Sequence, residues 1–576
     1  MIFLIIIDLI KLFSIKRKIN FVFFIILSFL VGISQMISVG AIMPLVSIYL
    51  DPNYIENYTL VSKFISVYAN GLHPQFVLTF LFIFFLIFSS ILKIFLIYYQ
   101  SFFAQSVGID VNKNVMTKIL NQSYEEFVKN EYSFYISNLT SKSNLLINNI
   151  LIQITNLISS FFVFVFFIIL LCFVDFFSTL IISSILFISY FLIILKLKKE
   201  VKFISDDINF FNNSIVKSIY DALQEFTDII FYKSHNYFIE AFHKRDFKLR
   251  QSNAKIIFFQ NLPKVIIETI AISSIIIMMY FSLKIYENKI QDFIPFFSLL
   301  IFSSLRLLPS AQQIYSCLIS IKGAKSSFNE IVEILNSQNA NAPKENNEIF
   351  FFNKKIFFHN VSFKYANTRK YIFKNINFEI NQGDKIAIVG SNGSGKSTLV
   401  ELILGLRFPS NGKILIDNTI LKKSNIQSWH NNISYIPQNK KISEFKIYES
   451  ISLGQTELLK DKTKIYNLAK ELDLDPNIKN FNFFKEFINR DINSLSGGQV
   501  QKISIIRALL RNRKFIVLDE STSAIDNQSE KKIIEYLSKN KNLTLVVVTH
   551  NQNFLKKFNK IFKVSNSNLN IINNLK

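Results

Sequence analysis

The sequence contains only two cysteines among its 576 residues, Cys172 and Cys317. Both fall inside apolar runs, so a disulfide framework or a cysteine metal site is not expected, and we predict two small buried side chains. A secretory signal is also missing, because the positive charges of residues 1–18 follow the apolar run instead of preceding it. We therefore predict that residues 1–20 form a helix at the membrane interface.

Charged residues are scarce over long stretches of the first 320 residues. Apolar runs of about 20 residues are long enough to cross a bilayer as helices. The sequence therefore predicts a six-helix transmembrane domain over residues 21–336, after the N-terminal helix. The predicted spans are residues 21–48, 75–98, 148–172, 176–196, 263–284 and 293–318.

Two long connections, residues 99–147 and 197–262, are rich in Lys and Arg. Irregular backbone cannot face lipid, and positive loops lie in the cytoplasm, so we predict helical cytoplasmic extensions there, with both termini on the same side. The formal net charge of +23 could also indicate a nucleic-acid partner. The position of the cations beside the spans favours the membrane interpretation, and we expect no nucleic acid.

Residues 59–69, after the first span, place five apolar side chains at helical spacing. This pattern predicts a short amphipathic helix on the outer surface, packed against the spans or in contact with lipid. The composition changes again at residues 337–349, which are polar with one proline and form the predicted linker. Residues 350–576 then alternate strand-like and helical stretches, as in an α/β P-loop domain.

A glycine-rich motif follows the apolar strand-like residues 386–389 and precedes a helical stretch. This is the context that a phosphate-binding P-loop requires, because backbone N–H groups must surround the phosphates. Lys396 is expected to reach the β- and γ-phosphates, and Ser397 to ligate Mg²⁺. The motif residues are Gly390, Ser391, Asn392, Gly393, Ser394, Gly395, Lys396, Ser397 and the following Thr398.

An apolar stretch at residues 515–518 ends in two carboxylates, Asp519 and Glu520. This pattern follows the P-loop by about 120 residues. At that spacing it predicts that a buried strand places Asp519 next to the metal ion. Glu520 is then placed to orient or deprotonate the attacking water.

Between these motifs lies Leu495-Ser496-Gly497-Gly498-Gln499. With this signature the chain resembles the ATP-binding-cassette (ABC) family, and six spans before one cassette resemble its half-exporters. The resemblance implies ATP and Mg²⁺ as ligands. It also implies that Gln438 binds metal and senses the membrane domain, and that His550 holds the γ-phosphate. Tyr365 is expected from the same resemblance to stack on adenine, and Asp526 to be the last residue of the D-loop motif, residues 523–526.

The same resemblance implies a homodimer. In this family the signature loop of one cassette faces the P-loop of the other, so each site takes Ser496 and Gly498 from the partner chain. Because Glu520 and His550 are both present, two hydrolytic sites are expected. Cassette closure is expected to move the spans through bends near residues 131–139 and 220–229. Residues 486–494 lack the glycine-containing run common in exporters, so contact with the partner's loops is expected to differ there.

Ionisable groups at membrane depth are a functional hypothesis by default. Three cations, Lys93, Lys264 and Arg306, are predicted to lie at one height near the inner leaflet, with Glu268 beside them. Such a ring suits an anionic headgroup such as a pyrophosphate. The alternative is that the lysines extend to the interface and pair with Glu268. Pro309 is expected to kink the sixth span.

Spans five and six and the outer helix also resemble bacterial lipid-linked oligosaccharide flippases. That resemblance implies transfer of a polyprenyl-pyrophosphate-linked glycan from the inner to the outer leaflet of the inner membrane, in support of protein glycosylation. Lys93 and Lys264 stand where that subgroup tends to carry arginine, which weakens bidentate phosphate recognition. A lipopolysaccharide-core or phospholipid flippase, a peptide or drug exporter, and a channel regulator remain as alternatives.

Overall fold

The structure is a computed structural model and consists of two compact units. One contains Met1–Leu120 and Asn130–Ser337, and the other contains Asn121–Lys129 and Gln338–Lys576. The described residues are 2–50, 73–285, 290–337, 351–365, 368–438, 445–478, 480–520, 525–565 and 567–573. The predicted outer helix at 59–69 and nearly all of the predicted linker lie outside them.

The first unit is all helical. Six of its helical segments are long and apolar enough to cross a membrane, which confirms the six predicted spans. Three helices contain 48, 49 and 51 residues and so extend about 72–77 Å, more than twice the thickness of the hydrocarbon core. The predicted cytoplasmic connections are therefore largely continuations of the spans. The α-helices up to residue 337, of which α5 belongs to the second unit, are α1 (Ile2–Lys11), α2 (Ile15–Gly40), α3 (Ile42–Leu50), α4 (Pro74–Asn121), α5 (Tyr124–Phe127), α6 (Tyr132–Leu139), α7 (Ser141–Leu146), α8 (Ile152–Val174), α9 (Phe176–Gln224), α10 (Phe226–Tyr232), α11 (His235–Ile285), α12 (Ile290–Gly323) and α13 (Lys325–Asn336).

Helix boundaries near the N-terminus differ from the prediction. The N-terminal segment is not one helix over 1–20, because α1 ends at Lys11 and α2 begins at Ile15. Ser14 separates them as an extended N-cap residue whose side chain accepts a hydrogen bond from the Arg17 N–H at 3.4 Å. The predicted first span is also divided at Ala41. These local caps interrupt a hydrophobic pattern that is otherwise continuous.

Residues 131–139, where a bend was expected, contain a short helix bounded by the non-helical residues Glu131 and Thr140, and a further break lies earlier in the chain. Residues 132–139 form α6, which belongs to the first unit, whereas residues 121–129 with α5 group with the second unit. Ser123 and Glu126 form a capping box that starts α5 and breaks the long rod. The second expected bend, at 220–229, is confirmed by the break between α9 and α10 at Glu225.

A buried ion pair ties three helices of the first unit together. Lys142 of α7 is fully buried, and its amino group pairs with the carboxylate of Glu330 on α13. The side-chain amide of Asn209 on α9 donates to the same carboxylate, and the Ser327 hydroxyl donates to Asn209 at 3.3 Å. Each oxygen of the Glu330 carboxylate thus has a partner, which offsets part of the cost of burying the pair.

The second unit is an α/β domain with two sheets. A four-stranded sheet has the order β2-β1-β4-β5, and a six-stranded sheet has the order β10-β9-β3-β8-β7-β6. Strands β9, β3, β8, β7 and β6 are parallel, and the central strands β3, β8 and β7 are buried along nearly their whole length, as expected when both faces are covered. The strands are β1 (Lys355–Phe363), β2 (Phe373–Asn381), β3 (Lys385–Val389), β4 (Asn411–Ile416), β5 (Thr419–Ile420), β6 (Ile433–Ile436), β7 (Phe515–Asp519), β8 (Thr544–Val548), β9 (Lys560–Ser565) and β10 (Asn568–Asn573).

Seven helices complete the domain and cover the sheets with two apolar cores. The parallel strands end at a common edge, and ligands of open α/β sheets bind outside the carboxyl ends of the strands. Both the P-loop and the carboxylate pair follow strands at that edge. The helices are α14 (Lys396–Ile403), α15 (Ile426–His430), α16 (Ile447–Ser452), α17 (Lys462–Glu471), α18 (Phe481–Ile488), α19 (Gly497–Leu510) and α20 (Asn527–Lys539).

Candidate nucleotide site and membrane cations

The loop between β3 and α14 has the geometry of an anion-binding turn. Gly395 has a φ of 107°, and a Cβ there would lie 2.9 Å from Ile372 Cγ2, so only glycine fits. Lys396 is buried, and its amino group donates to the carbonyls of Gly390 at 3.0 Å and Ser391 at 3.2 Å. The buried hydroxyl of Ser394 has no hydrogen-bond partner among the described residues. A cation and an unsatisfied hydroxyl on one loop before a helix N-terminus fit a phosphate group.

Of the three residues predicted to act in catalysis, two contact the carboxylate of the third, Glu520. Gln438 donates from Nε2 to Glu520 Oε2 at 2.5 Å, and His550 Nε2 lies 2.9 Å from Glu520 Oε1. Glu520 has a φ of 45°, a left-handed conformation that costs free energy in a residue other than glycine and is typical of functional sites. The turn after β7 thus directs this carboxylate between the ends of two neighbouring strands, β6 and β8.

Asp519, at the end of β7, is partly buried. Burial raises the pKa of its carboxyl, and the neighbouring charge of Glu520 acts in the same direction, while a hydrogen bond from Tyr435 opposes both. The Tyr435 hydroxyl donates to Asp519 Oδ2 at 3.3 Å. Burial, followed by the charge of Asp519, raises the pKa of Tyr435 as well. Motif reasoning missed Tyr435, although the parallel pairing of β6 with β7 places it opposite Val517, two residues before Asp519.

The donor set fits Mg²⁺. Mg²⁺ is usually held by one or two carboxylates together with substrate phosphates, and it keeps several waters. Asp519 supplies one carboxylate within electrostatic range of Lys396, the residue before Ser397, and the Gln438 side chain ends within hydrogen-bond distance of the adjacent Glu520. In the described part of the chain, no cluster of three or more His, Cys, Asp or Glu residues could hold a metal alone.

The predicted adenine-stacking residue, Tyr365, is held from two sides. Its hydroxyl lies 2.8 Å from Thr398 Oγ1, and the Arg407 guanidinium carbon lies 4.7 Å from the centre of its ring. Arg407 also pairs with Glu401 at 2.5 Å, with both side chains largely buried. Sequence motifs gave no signal for Arg407 or Glu401, because neither belongs to the phosphate-binding pattern.

Helix α5 joins this cluster. The Tyr124 hydroxyl donates to Glu401 Oε1 at 3.1 Å, and Arg407 lies 5.6 Å from the centre of the Tyr124 ring. Burial first, and then the Glu401 charge, raises the pKa of Tyr124 to about 12. Lys423 pairs with Glu125 at 3.4 Å nearby. The Ser-x-x-Glu pattern at 123–126 was the available sequence signal for this helix start.

The signature residues form a separate surface. Ser496 caps α19 and Gln499 completes the capping box, with Gln499 Nε2 donating to Asp475 Oδ2 at 2.8 Å. With Gly497, Gly498 and Asp526 they line a cavity whose described lining includes no P-loop residue. Asp526 caps α20 by accepting the Ser529 N–H at 2.8 Å, and this bond is the first cause of its lowered pKa. Ser523 and Ala524 lie outside the described residues.

Of the predicted membrane cations, two lie close to each other. Lys93 on α4 and Arg306 on α12 are within electrostatic range and repel each other. Arg306 is half-buried, whereas Lys93 is exposed. Glu268 on α11 is half-buried and interacts electrostatically with Tyr190, and Lys264 is exposed. No ion pair joins Glu268 to either lysine among the described residues, so the pairing alternative gains no support.

Comparisons with known proteins agree with this architecture. A family model described as "ABC transporter transmembrane region" matches residues 18–305, and one described as "ABC transporter" matches residues 373–523. A solved structure described as a bacterial Atm1-family ABC exporter with ATP bound superposes with a TM-score of 0.77 at 15% identity, covering 96% of this chain and 94% of that chain. At that identity the likeness shows the fold.

Curated relatives are more similar in sequence but longer. The chain is 29% identical over 354 residues to the lactococcin-G-processing and transport ATP-binding protein LagD of Lactococcus lactis, covering 60% of this chain and 49% of that protein. It is 35% identical over 196 residues to human ATP-binding cassette sub-family B member 5, covering 34% of this chain and 15% of that protein. The chain thus spans half or less of the length of these relatives.

Proposed function

Since this chain belongs to the ABC transporter family, with one transmembrane region followed by one ATP-binding cassette, we propose that it hydrolyses ATP to drive export across the membrane. The observation that carries this proposal is the convergence of Gln438 and His550 on Glu520. A carboxylate held by two neighbours is oriented before substrate arrives, as a general base must be.

Each residue then has one role in the reaction. Lys396 and the backbone N–H groups of residues 390–397 bind the phosphates, and Glu520 accepts a proton from the attacking water. His550 holds the transferred phosphoryl group, and Tyr365 stacks on adenine. Ser397, Gln438 and Asp519 would hold Mg²⁺, which would neutralise charge on the phosphates.

The active assembly in this proposal is a homodimer in the inner membrane, with cassettes and termini in the cytoplasm. The support is the cavity beside the signature residues, whose described lining includes no P-loop residue. Ser496, Gly497 and Gly498 therefore need a nucleotide brought by another cassette. The helix N-terminus capped by Ser496 gives that surface the polarity to meet a phosphate.

The transported substrate, in this proposal, is an anionic lipid, with a polyprenyl-pyrophosphate-linked oligosaccharide as the first candidate. The proximity of Lys93 and Arg306 supports it, because two cations held near each other at membrane depth are costly unless an anion joins them. Lys264 and Glu268 are assigned to the same pathway. Peptides and drugs are the competing cargo.

Reconstitution in liposomes tests this proposal. Wild type, Glu520→Gln and Arg306→Ala would be compared for ATP hydrolysis and for flipping of pyrophosphate-linked, monophosphate-linked and neutral lipids. Arg250→Ala is the control, since Arg250 is an exposed cation paired with Asp246. We expect Glu520→Gln to stop both activities, and Arg306→Ala to slow flipping of the anionic lipid at least tenfold while retaining basal hydrolysis. Equal flipping by Arg306→Ala and Arg250→Ala would remove the headgroup assignment.

A further inference from the structure

A second cleft of the cassette lies at the end of the six-stranded sheet that is opposite the nucleotide site. The parallel strands β3, β8 and β9 begin at this end, whereas the P-loop and His550 follow the other ends of β3 and β8. The loops that lead into the three strands, together with the end of α20, border a cleft of about 900 Å³. Its described lining includes no P-loop residue, so this is a separate site.

The cleft is strongly basic. Five lysines line it, and Glu535 is the one carboxylate among its described lining residues. That carboxylate is already paired with Lys557. Three further lysines are exposed, and their amino groups make no hydrogen bond or ion pair with any described residue: Lys539, Lys541 and Lys556. A cleft lined by charges of one sign raises the local concentration of counter-ions, so this cleft attracts anions.

The fifth lysine, Lys385, neutralises acceptors of the main chain. It is buried, and its amino group donates to the carbonyl of Asn540 at 2.9 Å and to the carbonyl of Leu543. These two carbonyl oxygens would repel an anion, but each is paired with a cation. Lys385 therefore acts on the backbone of the cleft, and the three exposed lysines remain available to a ligand.

The loops that carry the lysines are fixed to one another. Gly383 has a φ of 88°, and a Cβ there would lie 2.7 Å from the carbonyl oxygen of Lys541, so the two loops are in backbone contact. Asn559 accepts a hydrogen bond from the Lys385 N–H at 2.7 Å and donates to Asp384 Oδ1 at 2.9 Å. A binding site that is formed before the ligand arrives loses less conformational entropy on binding.

The size and charge of the cleft define the class of ligand. Small molecules occupy pockets of about 300–1,000 Å³, so a compact ligand fits here. Lysine binds phosphate as a point charge. One phosphate group carries a charge of about −1.5 to −2 at neutral pH, so two or more are needed to balance three unpaired amino groups.

We propose that this cleft binds a compact, soluble anion with two or more linked phosphate groups, held by the amino groups of Lys539, Lys541 and Lys556. The site shares no described residue with the nucleotide site or the membrane cations, so it is independent of the function proposed above. The pyrophosphate headgroup of a lipid has the same chemistry, and the experiment separates the two sources.

Acetylation of lysines in the full chain, reconstituted in nanodiscs of neutral lipid and mapped by mass spectrometry, tests the proposal at the level of single residues. The probe is inorganic tripolyphosphate. We expect saturating tripolyphosphate to slow acetylation of Lys539, Lys541 and Lys556 at least threefold. Acetylation of Lys413, an exposed lysine on β4, should not change. Orthophosphate should need a concentration at least tenfold higher for the same protection, because it carries one phosphate group.

Two variants should change the affinity in opposite directions. Lys541→Gln/Lys556→Gln removes two cations, so protection of Lys539 should need at least tenfold more tripolyphosphate. Glu535→Gln removes the carboxylate and releases Lys557, so protection should need less tripolyphosphate than in wild type. ATP hydrolysis by each variant checks that it folds.

Lys413→Gln is the matched control and should leave protection of Lys539 unchanged. Equal protection of Lys413 and Lys539 in wild type would show non-specific screening and overturn the proposal. An affinity that is the same in wild type and in Lys541→Gln/Lys556→Gln would also overturn it. Stronger protection by farnesyl pyrophosphate than by tripolyphosphate would identify a lipid headgroup as the ligand, and stronger protection by single-stranded RNA would identify a nucleic acid. Either result would contradict the assignment to a soluble polyphosphate.

Discussion

Glu520 and His550 lie at the ends of neighbouring strands of one parallel sheet, with 2.9 Å between Glu520 Oε1 and His550 Nε2. Strand β7 pairs with β8 so that Asp519 is opposite Val548, two residues before His550. The parallel register therefore brings together two side chains that are 30 residues apart in sequence. Four predictions follow the contacts around this edge and the helices beyond it.

Removing the charge of Glu520 should stop chemistry without preventing nucleotide binding. Glu520→Gln keeps the size of the side chain but cannot accept a proton, and positioned general bases contribute about 10²–10⁴-fold to rate. We expect a loss of kcat in that range and an ATP affinity within about threefold of wild type. Glu535→Gln is the matched control, because Glu535 pairs only with a surface lysine, Lys557. A turnover of more than half the wild-type value would contradict the assignment.

Tyr435 should set the pH at which Mg²⁺ binding is lost. Burial raises the pKa of Asp519, and the Tyr435 hydrogen bond opposes that rise by favouring the charged form. Metal binding needs the carboxylate, so it is lost as the pH falls through this pKa. Tyr435→Phe removes the opposing bond, and the loss should then begin at a higher pH than in wild type.

The measurement is Mg²⁺-dependent nucleotide binding as a function of pH, in wild type and variant under the same conditions. Tyr448→Phe is the control, because the Tyr448 hydroxyl donates to Glu449 and not to Asp519. A midpoint that stays in place, or moves to lower pH, would show that the Tyr435 contact does not act on Asp519.

Arg407 should position the ring of Tyr365. Its guanidinium lies 4.7 Å from the ring centre, and cation–π contacts contribute about 0.5–2 kcal/mol. Arg407→Met keeps most of the aliphatic length and removes the charge. We expect ATP affinity to fall roughly two- to thirtyfold, with kcat nearly unchanged at saturation. GTP, CTP and ATP should then bind more equally, and an unaltered preference for ATP would argue against this role.

The buried pair of Lys142 and Glu330 should be sensitive to removal of one partner. Lys142→Met leaves the Glu330 carboxylate partly buried without its cation, which costs about 3–5 kcal/mol. We expect a markedly lower thermal-unfolding midpoint in detergent. The double variant Lys142→Met/Glu330→Gln should recover most of that loss, because both charges are gone. Lys217→Met is the control, since its pair with Glu131 is exposed.

The sequence was most informative where chemistry demands a fixed local pattern. A P-loop needs glycine at particular backbone positions, and Gly395 has the positive φ that this requirement predicts. The apolar strand before Asp519 and the one before His550 were likewise readable from their continuous hydrophobicity. The six spans followed from length and hydropathy alone.

The remaining contacts depend on pairings that no local pattern encodes. Lys142 and Glu330 are 188 residues apart, and neither stands in a motif. The additional break at Ser123 was not predicted, because its capping box interrupts the rod where the hydrophobic period continues. Arg407 acquires its significance only from the side chains around it, Tyr365 and Glu401.

Helix α5 belongs to the same compact unit as the cassette although it is encoded more than 200 residues before it. Glu401 and Lys423 each meet a side chain of this helix. A cassette transplanted alone into another exporter would thus lose native partners for both residues. Productive chimeras of this protein should carry residues 121–129 together with the cassette, so the exchangeable module is discontinuous in the gene.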